Sequence, residues 1–222
     1  MIYGFLSSLG EFLGSAICHR LEERSFNLNG YYLPLCARCT GMYIGFLVSS
    51  LYFFIIKRNK ADKPPDVKSA LLIFASLLPL AFDGITSYMG LRETNNIIRF
   101  VTGALFTSSL PILFILLRNF TSTKENNVPI IKHKIELMFP FIISLLLVPF
   151  VWLLNMKSYL FGMMASLLVS ISIVFTIIYI IWSFVYALRP NKQNIIISIS
   201  LSASFFAFLK LTSVFVRGRL GL

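Results

Sequence analysis

Two stretches of this chain, Gly41 to Ile56 and Ile142 to Leu154, are apolar around almost the whole helical circumference. A helix without a polar stripe has no face to offer to water, so it needs either lipid or the interior of a large core. The chain has only 222 residues, of which 57% are hydrophobic and 13% charged, against roughly 25% charged in soluble domains. A water-soluble fold of that size cannot hide so much apolar surface. The expected class is all-α, a polytopic transmembrane helix bundle.

A hydrocarbon core takes about 20 apolar residues per crossing, and the chain divides on that ruler into about six spanning helices. They fall near Thr40 to Ile56, Ser69 to Ile85, Ile97 to Leu117, Leu137 to Leu154, Tyr159 to Leu188 and Asn194 to Val214. Pro79, Pro111, Pro140 and Pro149 lie inside these runs and are expected to kink them. Met1 to Ile17 is apolar but contains Glu11, lacks a basic leader and ends at Cys18-His19 rather than at a small-residue cleavage site. It is expected to be a short amphipathic or half-spanning helix. No linker-like boundary appears, so residues 1–222 read as one integral domain of a multi-pass cell-membrane protein, with a motif-bearing half 1–118 and a second helical half 119–222.

The formal net charge is +11, but the basic residues are scattered between apolar runs rather than gathered on one helix. That pattern points away from nucleic acid and toward membrane lipids, and the same sign suits a phosphate-bearing lipid substrate. Alternating crossings put Lys57, Arg58, Lys60, Lys63, Lys68, Arg118, Lys124, Lys132, Lys134, Arg189 and Lys192 on one face, expected to be cytoplasmic. Arg20, Arg24, Arg38, Arg92, Arg99, Lys157, Lys210, Arg217 and Arg219 fall on the other. The segment Cys18 to Cys39 and the connection Asp83 to Arg99 then open on the same side, and His133 on the opposite one.

Cys36 and Cys39 stand in a C-x-x-C spacing, which points two sulfurs at one tetrahedral ion, and Cys18 and His19 supply further soft donors upstream. Zinc is the expected ion. Adjacent residues point apart, so Cys18 and His19 reach one ion together only in an irregular turn. Three sulfurs with a water, Asp83 or Glu93 as fourth ligand is an equal alternative; a Cys36–Cys39 disulfide and ordinary thiol packing are others. In the second cluster, Asp83, Arg92, Glu93 and Arg99 are ionisable groups at or near membrane depth, where such groups face a cavity or pair with one another. Asp83 or Glu93 is a candidate base. Arg92, Asn95, Asn96 and Arg99 at a helix start form a candidate anion seat, to which Arg24 and Arg38 can add. The alternative is a structural Asp83–Arg99 ion pair.

Cys18-His19 with Arg24-Ser25-Phe26, Leu33-Pro34-Leu35-Cys36-Ala37-Arg38-Cys39-Thr40-Gly41, Asp83-Gly84, and Gly90-Leu91-Arg92 through Asn96, Arg99, Thr102 and Gly103 resemble the domain-of-unknown-function 2085 family of prokaryotic predicted membrane proteins. The resemblance covers about the first half of the chain and implies a bacterial or archaeal membrane protein; it supplies no reaction. Site chemistry leaves three readings. One is a metal-dependent enzyme acting on a phosphate-bearing lipid or isoprenoid. The second is a transporter with Asp83 and Arg99 lining the pathway. The third is a non-enzymatic scaffold clamped by zinc.

Overall fold

A computed structural model of the chain describes residues 2–28, 31–120, 125–153, 159–188 and 194–220. Among them, helix α1 (Ile2–Ile17) leads through a 3-10 turn (Glu22–Arg24) into an antiparallel hairpin of β1 (Ser25–Leu28) and β2 (Tyr31–Cys36). Eight helices follow: α2 (Ala37–Ile55), α3 (Val67–Ala75), α4 (Leu78–Tyr88), α5 (Asn96–Ser108), α6 (Leu110–Asn119), α7 (Lys134–Leu153), α8 (Tyr159–Leu188) and α9 (Asn194–Leu220). Five stretches among the described residues are long and apolar enough to cross a bilayer: Ala37–Ile55, Val67–Tyr88, Asn96–Asn119, Gly162–Leu188 and Ile195–Phe215. The fourth expected crossing, Leu137 to Leu154, coincides with α7, whose 20 residues reach about 30 Å at 1.5 Å per residue. The protein is an all-α, multi-pass membrane protein. Lys124, Lys157, Arg189 and Lys192 lie outside the described residues.

Small residues set the centre of the bundle. A Cβ added to Gly41 of α2 would lie 2.1 Å from the carbonyl oxygen of Phe100, and one on Gly103 of α5 would lie 2.3 Å from that of Arg38. The two backbones therefore touch along a small-residue seam, the way helices associate in lipid where no hydrophobic force drives them together. Thr107 donates to the Met42 carbonyl at 2.6 Å, and the Ser49 hydroxyl donates to the Ser108 carbonyl. These contacts run in chain order on both helices, so α2 and α5 are parallel and begin at the same membrane face. That arrangement brings the C-x-x-C segment beside the start of α5.

Two crossings are broken at prolines. Pro79 sits in the first turn of α4 and Pro111 in that of α6, where the missing N–H and the ring's clash with the preceding turn interrupt the ladder. The breaks meet: the Ser76 and Ser109 hydroxyls, both buried, are 2.9 Å apart, and Ser76 donates to the Ile73 carbonyl at 2.6 Å. Carbonyls freed by a kink thus find hydroxyl partners inside the bundle.

Helix α1 packs on α8, α9 and β2. Gly10 lies against the Ser166 and Ser170 hydroxyls, Gly14 against the Pro34 carbonyl, and Ser213 donates to the Ser15 carbonyl at 2.8 Å. Beneath the hairpin, Leu33, Leu35, Ile44, Phe100, Val169 and Ile173 form a buried core. At the other end, Arg58 grips Glu136 through two hydrogen bonds of 3.3 and 2.6 Å, tying the end of α2 to α7.

Candidate metal centre and guanidinium cluster

Helix α1 stops at Ile17, and the Cys18 amide still donates to the Gly14 carbonyl at 2.9 Å. The chain then reverses through Arg20, whose φ of +55° is the left-handed conformation that side-chain-bearing residues rarely adopt. The reversal aims two amides at the Cys18 sulfur, Arg20 N–H at 3.5 Å and Cys36 N–H at 3.4 Å. The hairpin delivers the second amide, because Ser25 pairs with Cys36 across a bulge between Ser25 and Asn27.

Cys36 is the N-cap of α2, extended at φ −64° and ψ 158°, and Cys39 lies in the first turn. N-cap and third helical positions face one another, as in a capping box, so the C-x-x-C spacing converges both thiols. The positive end of the helix favours thiolates there. The Sγ atoms of Cys18, Cys36 and Cys39 all lie within 4.8 Å of one another. A tetrahedral zinc with bonds of about 2.3 Å sets its sulfurs about 3.8 Å apart, so the trio fits one ion. Hydrogen bonds from Cys36 and Cys39 hold the Cys18 thiol well below the usual range, and the same contact pushes Cys36 up. No disulfide joins Cys36 to Cys39 in this structure.

His19 is exposed and is not among the side chains whose ligand atoms cluster with the three sulfurs. Its neighbour Cys18 faces inward, and adjacent side chains leave the chain in different directions. An ion held by these three sulfurs would keep one tetrahedral position open.

Asp83 is 1% exposed in α4. Arg38 donates to its Oδ2, and Arg92 and Thr94 donate to Oδ1 at 2.7 and 2.8 Å. Asp83 thus accepts three hydrogen bonds, one on Oδ2 and two on Oδ1. The alternative of a direct Asp83–Arg99 salt bridge is not what forms: Arg99 donates to Asn96 Oδ1 at 3.0 Å. Asn95 is the N-cap of α5, its Oδ1 accepting from the Ile98 amide at 2.8 Å. Asn96 donates to the Ser25 carbonyl at 3.1 Å and links α5 to the hairpin. Glu93 is exposed on the connection between α4 and α5.

The guanidinium groups of Arg24 and Arg38 lie over the Tyr88 ring, 5.2 and 5.8 Å from its centroid. Tyr88 is absent from the sequence expectations; its only signal is an aromatic ring at a helix end, where the interface favours one. Arg38 and Arg92 each keep a buried Nε–H that has no acceptor among the described residues. Arg38 and Arg92 share the Asp83 carboxylate and still have donors left over for an anion.

A family model described as a predicted membrane protein, DUF2085, matches residues 18–113, the stretch that contains every residue of this site. An uncharacterised protein of Methanothermobacter thermautotrophicus is 45% identical over 89 residues, 39% of this chain and 74% of the relative. An uncharacterised protein of Methanocaldococcus jannaschii is 41% identical over 106 residues, 48% of this chain and 65% of the relative. No solved structure matches.

Proposed function

The chain belongs to the DUF2085 family of predicted membrane proteins, and from that premise we propose that its three cysteines hold one zinc ion at a membrane face, beside arginines that seat the phosphate of a lipid or isoprenoid substrate. The observation that carries this reading is the convergence of three sulfurs within 4.8 Å next to Arg24, Arg38, Arg92 and Arg99. A zinc ion there supplies Lewis acidity and an activated water at its fourth position. The chain's own groups do the rest. Arg99 and Arg24 bind the anion, and Asp83 positions Arg38 and Arg92. Glu93, exposed at the same face, takes the proton. The whole-domain reading over residues 1–222 belongs to the same proposal, with the second half completing the bundle around the site.

The test is binding and turnover of a polyprenyl phosphate by zinc-replete protein in detergent. Arg99→Ala is expected to weaken binding about tenfold, the worth of one charge-assisted hydrogen bond, with zinc content unchanged. Glu93→Gln is expected to lower turnover without loss of binding. Polyprenyl phosphate that binds no better than the neutral alcohol sinks the substrate half and leaves the zinc half to metal analysis.

One observation favours a second reading, the zinc-clamped scaffold: hydrogen bonds from Arg38, Arg92 and Thr94 to Asp83 tie α2, α4 and the following connection together. A folded, zinc-replete Arg99→Ala variant that keeps full cellular function would favour it.

A further inference from the structure

At the membrane face opposite the cysteines, a cavity of about 470 Å³ lies between α2, α6, α8 and α9, lined by Ser50, Leu51, Phe54, Arg118, Trp182 and Ile195 among others. Its size is that of a small-molecule site, roughly 300–1,000 Å³. Leu51, Phe54 and Ile195 are 46%, 65% and 52% exposed, and all three belong to crossings that face lipid. The mouth therefore opens sideways into the bilayer.

Two polar groups in this apolar wall lack partners among the described residues. The Ser50 hydroxyl, in a residue 5% exposed, has no hydrogen bond, and neither does the buried Nη1 of Arg118. Arg118 is otherwise engaged: Nη2 donates to the Asn59 carbonyl at 2.9 Å, and the guanidinium lies 4.3 Å from the Trp182 centroid and 5.8 Å from that of Tyr179. Among the described residues no carboxylate pairs with it. Arg118 is half-buried and its guanidinium also hydrogen-bonds Tyr179, so the open Nη1 donor is what calls for an anionic acceptor. The aromatic faces are already covered by the guanidinium, so they offer no cage to a quaternary ammonium.

We propose that this cavity seats one anionic membrane phospholipid, with its phosphate on Arg118 Nη1 and Ser50 Oγ and an acyl chain along Leu51, Phe54 and Ile195. The site is independent of the zinc reading, since it lies across the membrane from the cysteines.

Trp182 reports on its occupant. The chain has two tryptophans, so Trp152→Phe leaves Trp182 alone. That protein is reconstituted in vesicles containing either brominated phosphatidylglycerol or brominated phosphatidylcholine, diluted with unlabelled phosphatidylcholine. Trp182 is expected to be quenched at about fivefold lower mole fraction of the anionic lipid, the usual worth of one basic residue at an anionic surface. Adding Arg118→Gln should bring the two lipids to parity, whereas Arg118→Lys should keep part of the preference. Equal quenching by both lipids in the Trp152→Phe protein overturns the proposal, and that comparison decides alone if Arg118→Gln does not fold. A preference that survives folded Arg118→Gln also overturns it, because the selectivity then comes from other basic residues of that face.

Discussion

Arg38, which stands between Cys36 and Cys39, donates a hydrogen bond to Asp83, 45 residues further along the chain in α4. One side of the C-x-x-C turn is thereby fixed to a buried carboxylate that Arg92 and Thr94 also share. The sulfur cluster and the guanidinium cluster are therefore parts of one assembly, and moving either strains the other.

Asp83→Asn removes the anion that these two guanidinium groups share, leaving buried positive charge without a counter-ion. Loss of one partner of a buried pair costs about 3–5 kcal/mol, and the lower end applies because the Arg92 side chain is 37% exposed. Unfolding in mixed detergent and denaturant should show this as a lowered midpoint, while the folded fraction keeps its metal. An unchanged midpoint would contradict the network.

The seam between α2 and α5 is tested by adding single methyl groups. Gly41→Ala and Gly103→Ala place a Cβ against backbone oxygens that cannot rotate away, at 2.1 and 2.3 Å, and overpacking of this kind costs about 1–3 kcal/mol or more. Gly84→Ala in α4 meets nothing within 4 Å and should be neutral or stabilising by about 0.5–1 kcal/mol. Equal midpoints for all three variants would show that the helices do not touch as described.

Much of this architecture is legible in the sequence because lipid imposes a simple rule: apolar runs of sufficient length are crossings. The kinks at Pro79 and Pro111 were expected from the missing N–H alone, although their meeting through Ser76 and Ser109 depends on how two helices are rotated. The C-x-x-C spacing points to convergent sulfurs because a helix start places those positions face to face. What the sequence hides is pairing across space. Asp83 chooses Arg38 and Arg92 over Arg99 because of the rotation of α4 and the close approach of α2 to α5, and no local pattern encodes either. The strands at Ser25–Leu28 and Tyr31–Cys36 are absent from the sequence expectations, although Asn29-Gly30 is a hairpin dipeptide. Their short, bulged pairing gives too little alternation to stand out beside the long apolar runs.

Metal removal should loosen one part of the protein. The hairpin is held at its end by Cys36 and at its start by the turn after Cys18, so chelation is expected to raise amide exchange across Ser25–Leu28 and Tyr31–Cys36. The α2–α5 seam should remain protected. Exchange that is the same with and without chelator would mean that no ion braces the hairpin.

His19→Ala separates the present ligand set from the one expected from sequence. The side chain is exposed and is not among those whose ligand atoms cluster with the sulfurs, so the variant should retain the metal content of the parent protein. A large loss of metal would return His19 to the coordination sphere.

The central claim is that Cys18, Cys36 and Cys39 act as one ligand set, and elemental analysis of purified protein from zinc-supplemented cells tests it most directly. The account predicts about one zinc per chain, as a single tetrahedral site requires, falling close to zero in folded Cys18→Ser, Cys36→Ser and Cys39→Ser variants. Parent protein that carries no metal, or a Cys39→Ser variant that keeps all of it, would contradict the account.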